Sequence, residues 1–218
     1  VGSDRQTEFV PASTLWIGGG SGAGKSTVAR RLASTYGLTR YSTDDAMADH
    51  TRRCSAAECP ELARFMAMDM DERWLKRSPW VMVETFHWYR GEGFRFVLDD
   101  VEELLSAGAE RVVVEGFRLL PRLVAPLLGR GARALWLLPT PEFRLQAFHH
   151  RGGLWQIAGR TSCPERALAN LLERDRMFTE RVRTEVRELG LVGVDVDVGL
   201  GEDELVVEVA KELGLSIR

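Results

Sequence analysis

Gly19 to Ser26 reads Gly-Gly-Ser-Gly-Ala-Gly-Lys-Ser, the spacing G-x-x-x-x-G-K-S, directly after an apolar run and directly before a segment with helical periodicity. That context narrows what the chain can fold into more than any other feature of it. Glycines let successive backbone N–H groups point inward without a Cβ in the way, and the first turn of a helix adds unpaired N–H donors and the positive end of its dipole. Such a strand-loop-helix unit holds a polyphosphate, with Gly20, Ser21, Gly22, Ala23, Gly24, Lys25, Ser26 and Thr27 as its expected lining. Lys25 reaches the β and γ phosphates as a mobile point charge, and the Ser26 hydroxyl is placed to ligand a magnesium ion. A glycine-rich turn that merely joined strand to helix would need neither the lysine nor the serine at this spacing.

The rest of the chain has to build a sheet that presents this loop. Runs rich in Val, Leu and Ile recur at Thr14 to Gly18, Arg111 to Glu115, Ala134 to Leu138 and Leu191 to Val196, each followed by a longer helical pattern. A shorter second strand fits at Thr39 to Thr43, just before Asp44-Asp45. This alternation predicts a three-layer α/β fold on a mainly parallel five-stranded sheet, with its ligand at the carboxyl ends of the strands. Gly24 to Tyr36 puts Val28, Leu32 and Tyr36 on one helical face and stops at Gly37, while Phe94 to Ala107 gathers Val97, Val101, Leu104 and Leu105 and stops at Gly108. Ser162-Cys163-Pro164-Glu165 is a capping-box pattern with proline in the first turn, so one long helix is expected from there to Gly190. At 218 residues and 44% hydrophobic content the chain suits one core, so a single domain over 1–218 is expected.

Charge is mixed, 29 basic against 32 acidic residues for a net −3, and no block of one sign would bind a polyanion, so no nucleic-acid partner is expected. Apolar stretches such as Leu135 to Pro139 are of strand length, far short of the roughly 20 residues a membrane helix needs, and Val1 to Ser13 lacks the apolar core of a signal peptide. A cytoplasmic protein with no membrane partner is the expectation. Cys54, Cys59 and Cys163 are an odd number, which argues for thiols in a reducing compartment rather than a disulfide framework. His50, Cys54 and Cys59 lack a fourth ligand at zinc-like spacing and read as packing residues.

On these motifs the sequence resembles the P-loop small-molecule kinases of the nucleoside, nucleotide and shikimate kinase-like group, and is similar also to chloramphenicol phosphotransferase-like enzymes. The resemblance follows the order of elements over nearly the whole chain but rests, in residues, on short motifs. In Tyr41-Ser42-Thr43-Asp44-Asp45, Asp44 stands nineteen positions after Lys25, about where shikimate kinase-like enzymes carry an acceptor-binding aspartate. The resemblance implies that Asp44 holds an acceptor hydroxyl and takes its proton, with Asp45 open as the alternative. Val112 to Arg118 is similar to the Glu-Gly that closes strand three in uridine and pantothenate kinases, which implies that Glu115 holds magnesium through water. Arg118 is one place out of register with the arginine of the adenylate kinase pattern Asp-Gly-Phe-Pro-Arg. Glu173 to Arg181 is similar to cytidylate kinase lids at Arg174, Asp175 and Arg181, implying catalytic arginines on a lid over 145–185, with Arg151 and Arg160 flanking its glycine-rich interruption at Gly152-Gly153 and Gly159.

The resemblance thus implies ATP and Mg2+ as cofactors, Lys25, Asp44, Arg174 and Arg181 as catalytic residues, and Ser26 and Glu115 at the metal. It also implies a helical acceptor-binding insertion at 45–95. There Trp74, Trp80, Phe86, His87, Trp88 and Tyr89 supply walls for a flat or bulky acceptor, with Glu84, Arg90 and Glu92 as polar neighbours. A small-molecule hydroxyl, nucleoside-like or from a natural product, suits Asp44 as base. A nucleoside monophosphate acceptor, or a regulatory ATP-binding NTPase with no small-molecule acceptor, remains open as the alternative.

Overall fold

The computed structural model describes residues 13–216 except 131 and 152, and the side chains of 129, 130, 148–151, 153 and 154 lie outside the description as well. Five strands form one sheet: β1 (Thr14–Gly19), β2 (Thr39–Ser42), β3 (Val112–Glu115), β4 (Arg133–Pro139) and β5 (Val192–Val196). All neighbouring pairs are parallel, in the order β2-β3-β1-β4-β5. Chain direction of travel across the sheet therefore reverses at β1, with β3 and β2 on one side and β4 and β5 on the other, and the crevice outside the carboxyl ends at such a point is where a ligand fits.

Alternation along β1 explains the three layers. Leu15 and Ile17 face one side, where they join Val113, Leu135, Leu137, Val194 and Val196 under α1 (Lys25–Tyr36) and α12 (Glu202–Glu212). Trp16 faces the other, with Val112, Val114, Trp136 and Leu138, against the helices between β2 and β3 and the long α11 (Pro164–Glu188). Because both faces are covered, the central strands β1, β3 and β4 can be largely apolar. Their boundaries fall within a residue or so of those expected.

Between β2 and β3 run six helices: α2 (Met47–Arg53), α3 (Pro60–Ala67), α4 (Met70–Trp74), α5 (Pro79–Thr85), α6 (His87–Arg90) and α7 (Phe94–Ser106). After β3 come α8 (Pro121–Val124) and a 3₁₀ turn at Ala125–Arg130, and after β4 come α9 (Pro141–Arg151) and α10 (Gly153–Ala158). Among the described residues, no helix is long and apolar enough to cross a membrane.

The structure departs from the sequence expectation at two places. Cys54 and Cys59 are joined in a disulfide, because the turn from α2 into α3 brings their Cα atoms to 5.9 Å, and only Cys163 is a free, exposed thiol. Counting cysteines could not show that closeness. The capping box at Ser162 also fails to form: Cys163 is the N-cap and contributes no side-chain bond. Ser162 instead gives its backbone N–H and hydroxyl to Asp71 of α4, at 2.7 and 2.5 Å, so it ties two helices together rather than closing one. The expectations for residues 1–12, for Gly152 and for the Arg151 side chain fall outside the described residues.

Candidate functional site

Register brings the key residues to one level. Ile17 of β1 and Ser42 of β2 both stand opposite Glu115, the last residue of β3, so the phosphate loop, Glu115 and the Thr43-Asp44 turn leave the sheet side by side. Thr43 N–H donates to the Glu115 carbonyl at 2.9 Å and Gly116 N–H to the Ile17 carbonyl at 3.1 Å, which pins the three strand ends. Gly116 has φ 146°, and a Cβ there would lie 1.8 Å from Thr43 Oγ1 and 3.1 Å from Asp44 Oδ1. Any other residue would push the Asp44 turn away from the loop.

In the loop, Gly24 adopts φ 84° as the N-cap of α1 and leaves the helix's first N–H groups without a side-chain cap. Lys25, the first helical residue, is 7% exposed, and its Nζ donates to the Gly20 carbonyl at 2.7 Å, folding the side chain over the loop. Ser26 Oγ donates to Glu115 Oε2 at 3.1 Å. Glu115 is fully buried, and its other oxygen accepts from Arg40 on the edge strand β2. A hydroxyl beside a carboxylate, both oxygen donors, fits magnesium, a hard ion that keeps several of its waters and needs few protein ligands.

Asp44 is half-buried and accepts from Thr43 Oγ1 at 3.3 Å. Burial raises its pKa, the Lys25 charge pulls it down, Glu115 pushes it up again, and the net direction is upward. Asp45 is exposed and faces Arg40, the partner of Glu115, at 3.6 Å. Of the two aspartates that the sequence leaves open, only Asp44 stands among Lys25, Glu115 and the loop.

The arginines are distributed differently from the sequence expectation. Arg174 is 6% exposed, bound through Nε and Nη2 to its neighbour Asp175 at 2.8 and 2.6 Å, with its guanidinium over the rings of Trp74, Phe86 and Tyr89. It is an internal ion pair on the packed face of α11. Arg181 pairs with Glu84 of α5 and lines an open groove of about 730 Å³ with Arg90, Arg122 and Glu185, to which no phosphate-loop residue contributes. Arg118 is buried against Trp88, its guanidinium 3.9 Å from the ring centre, and bonds to His50 Nδ1 at 2.8 Å and to the Thr43 and Gly93 carbonyls. It ties the β2 end to α2 and α7. Arg160 is exposed.

Sequence reasoning missed Arg144, in the first turn of α9. Its Nη1 donates to Thr179 Oγ1 at 3.3 Å, and Thr179 abuts the loop so closely that a Cβ on Gly20 would stand 2.5 Å from that same oxygen. Arg144 is 4% exposed, burial lowers its pKa, and among the described residues no carboxylate lies within ion-pair distance of it. Its only sequence signal was position, five residues after the end of β4. A second missed feature is a pocket of about 240 Å³ beside the loop, walled by Gly24, Val28, Phe143, Ala147, Leu200 and Leu205. It is mainly apolar, with Thr27 and Glu202 also in its lining, and large enough for a planar base.

Most of the aromatics expected as acceptor walls are core. Trp74, Phe86, His87, Trp88 and Tyr89 are buried, whereas Trp80 is 59% exposed. Tyr89 stacks on Phe178 at 3.7 Å and donates its hydroxyl to Asp175 at 3.1 Å, and the Asp44 charge contributes to the rise of its pKa. Glu92 caps α3, accepting from the Glu61 and Leu62 N–H groups at 2.9 Å each.

No family model matches this sequence, and no curated protein matches it significantly. Solved structures with a similar outline include the shikimate kinase from Acinetobacter baumannii in complex with shikimate, at 19% identity and TM-score 0.45, covering 95% of this chain and 94% of that one. A gluconokinase from Sinorhizobium meliloti 1021 has 24% identity and TM-score 0.47, with 93% and 92% covered. The deoxyadenosine kinase from M. mycoides with bound dATP has 12% identity and TM-score 0.47, with 92% and 99% covered. On its own strand order, loop and helix layers, the chain is a P-loop α/β protein of parallel five-stranded build, similar in outline to small-molecule kinases.

Proposed function

We propose that the chain is an ATP-dependent phosphotransferase that moves the γ-phosphoryl group to a hydroxyl of a small molecule. The observation that supports it most is the meeting of Lys25, Ser26, Glu115 and Asp44 at adjoining strand ends. A nucleotide-reading regulator needs the first three. A half-buried carboxylate with a raised pKa beside them is what proton removal from an alcohol requires.

The roles follow from position. The adenine lies in the pocket between α1, α9 and Leu200, and the phosphates thread through the loop amides to Lys25. The acceptor oxygen forms a bond to the γ-phosphorus, the bond to the bridging oxygen breaks with its electron pair leaving on ADP, and the hydroxyl proton passes to Asp44. Ser26 and Glu115 would hold magnesium, which when bound would supply neutralisation of the phosphate oxygens. Among the described residues Arg144 has no carboxylate within ion-pair distance and it sits one side chain from the loop, so it takes the role that the sequence suggested for Arg174 and Arg181.

The test of the whole reading is ADP release with ATP, magnesium and a metabolite panel. Turnover that depends on an added acceptor supports it. Steady hydrolysis indifferent to every acceptor would favour the regulatory NTPase, and a phosphoanhydride product seen by phosphorus NMR would favour a nucleotide kinase.

Two variants probe the roles. Arg144→Ala is expected to slow turnover about 10- to 100-fold, the worth of one charge-assisted hydrogen bond of roughly 1.5–3 kcal/mol, with a smaller change in ATP affinity. An unchanged rate would favour the helix arginines for that role. Glu115→Gln is expected to raise the magnesium concentration needed for half-maximal activity. Because it also unpairs Arg40, it should lower the melting temperature as well. Arg40→Gln separates the two effects: it breaks the same pair but keeps the carboxylate, so it should leave the magnesium titration where it was. Matching magnesium curves for Glu115→Gln and the parent would make Glu115 purely structural.

A further inference from the structure

Arg118 lies three residues past Glu115, against the turn that carries the proposed base, yet it is turned away from any ligand. The residue is 2% exposed, its guanidinium carbon lies 3.9 Å from the centre of the Trp88 ring, and both of its terminal nitrogens are spent inside the fold. Nη1 donates to the Thr43 carbonyl at 3.3 Å and to His50 Nδ1 at 2.8 Å, and Nη2 donates to the Gly93 carbonyl at 3.3 Å. All three acceptors are neutral. Burial pushes the Arg118 pKa down to about 10 against the opposing pull of Tyr41, Asp44 and Asp100, so the group stays charged at neutral pH. A buried cation held by neutral groups alone is a costly way to fill space, and its use lies in what those bonds fix.

What they fix is the base. The Thr43 carbonyl belongs to the same peptide plane as the Asp44 N–H, and Thr43 is fully buried, with its own N–H on the Glu115 carbonyl at 2.9 Å and its hydroxyl on Asp44 Oδ1 at 3.3 Å. Arg118 therefore sets the plane from which the Asp44 side chain departs, while Gly116 leaves room for its carboxyl group. His50 aims the guanidinium in turn. An arginine N–H only donates, so His50 Nδ1 accepts and the ring carries its proton on Nε2. That N–H meets Asp100 Oδ2 at 2.7 Å, and the Asp100 carboxylate also takes the Tyr41 hydroxyl and Arg53 Nη1, each at 2.6 Å. Burial holds the His50 pKa below its ordinary value despite the Asp100 bond, and the Arg118 charge acts in the same direction as burial, so at neutral pH Nδ1 is open to Arg118.

We propose that Arg118, oriented by His50, is a positioning residue for the phosphoryl transfer: it holds the peptide between Thr43 and Asp44 so that the Asp44 carboxylate meets the acceptor hydroxyl. The proposal rests on the phosphotransferase reading for what Asp44 does, and on the bonds above for how Asp44 is held. Neither Arg118 nor His50 touches substrate. A displacement of about 1 Å at a reacting group costs on the order of 10²-fold in rate, so a turn freed from Arg118 slows the chemical step while the phosphate loop keeps its hold on ATP.

Steady-state kinetics, ATP binding and carbon NMR of the Asp44 carboxyl, assigned with Asp44→Asn, test this. Arg118→Met and His50→Leu are expected to lower kcat about 10- to 100-fold with the ATP dissociation constant unchanged. His50→Asn sets an amide oxygen close to where Nδ1 stood, so it should bring kcat back to within about 3-fold of the parent. In an Asp44→Asn background, Arg118→Met should cost no more than about 3-fold further, because residues that act through one group are not additive. Should Arg118→Met not fold, His50→Leu takes its place in that comparison. The NMR readout needs no acceptor. His50→Leu removes no charge from the neutral ring, so a freed turn moves the Asp44 titration, raised in the parent chiefly by burial, back towards the ordinary aspartate range, and His50→Asn leaves it in place. Parent-like kcat in both Arg118→Met and His50→Leu, ATP affinity that falls in step with the rate, a full multiplicative loss in the Asp44→Asn background, or a His50→Asn enzyme as slow as His50→Leu would each overturn the proposal. A parent protein with no acceptor-dependent ADP release would sink the phosphotransferase reading instead, and the NMR arm then decides by itself: an Asp44 titration unmoved in His50→Leu shows that this pair does not hold Asp44.

Discussion

Lys25→Ala is expected to cut acceptor-dependent ADP release by about 10³-fold or more while thermal unfolding stays cooperative and close to the parent temperature. The size follows from what the side chain does: a single preorganised donor at a developing oxyanion is worth roughly 10²- to 10³-fold, and Lys25 adds a full charge in a water-poor loop. The mild effect on folding follows from where the side chain sits. Its Nζ makes a bond to the Gly20 carbonyl within the loop itself, and the residue opens α1, where alanine is a good helix former. Removing it should cost ATP affinity as well as rate, because the lysine meets the phosphates in the ground state and in the transition state alike. Parallel assays of ADP release, nucleotide binding and melting separate these effects. Parent-like turnover would remove the phosphate-loop reading, and loss of cooperative melting would show that the residue serves packing.

The elements legible in the sequence were those whose signal is local. The glycine-rich loop, the apolar strands at Thr14–Gly19 and Val112–Glu115, and the stop of α1 at Gly37 all depend on neighbours in sequence, and the structure places them as expected. Contacts between distant segments were not legible. Ser162 has the spacing of a cap, yet its hydroxyl finds Asp71, ninety-one residues away. Arg174 matches a lid motif, yet it lies on the same helical face as Leu171, Phe178 and Val182, and that face is buried. The helical spacing of Arg174, Asp175 and Thr179 relative to those apolar residues was a usable signal that they point inward. Arg144 carried none, because what distinguishes it is the absence, among the described residues, of a carboxylate at ion-pair distance and the closeness of Thr179 to Gly20, both of them properties of the folded chain.

Asp44→Asn is expected to lower the maximal rate by roughly 10²- to 10⁴-fold with ATP affinity nearly unchanged, the usual contribution of a positioned base. Asparagine keeps the shape and can still accept from Thr43 Oγ1, so the turn beside Gly116 survives, but it cannot take a proton from the acceptor hydroxyl. The raised pKa adds a pH signature. Asp44 loses activity on protonation, so the acid limb of the parent rate profile should lie above the ordinary aspartate range, and that limb should vanish in the variant. Stability should move in the opposite sense. An acid whose folded pKa is raised favours the folded state at low pH, and that contribution is lost as pH climbs through the folded value. At neutral pH the parent therefore carries a half-buried charge that the variant does not, and Asp44→Asn should melt at or above the parent temperature there. The difference should fade in acid, where both side chains are neutral. A variant with full activity on its acceptor, or one that melts lower at neutral pH than the parent, would show that Asp44 holds the turn in place and that the proton leaves by another route.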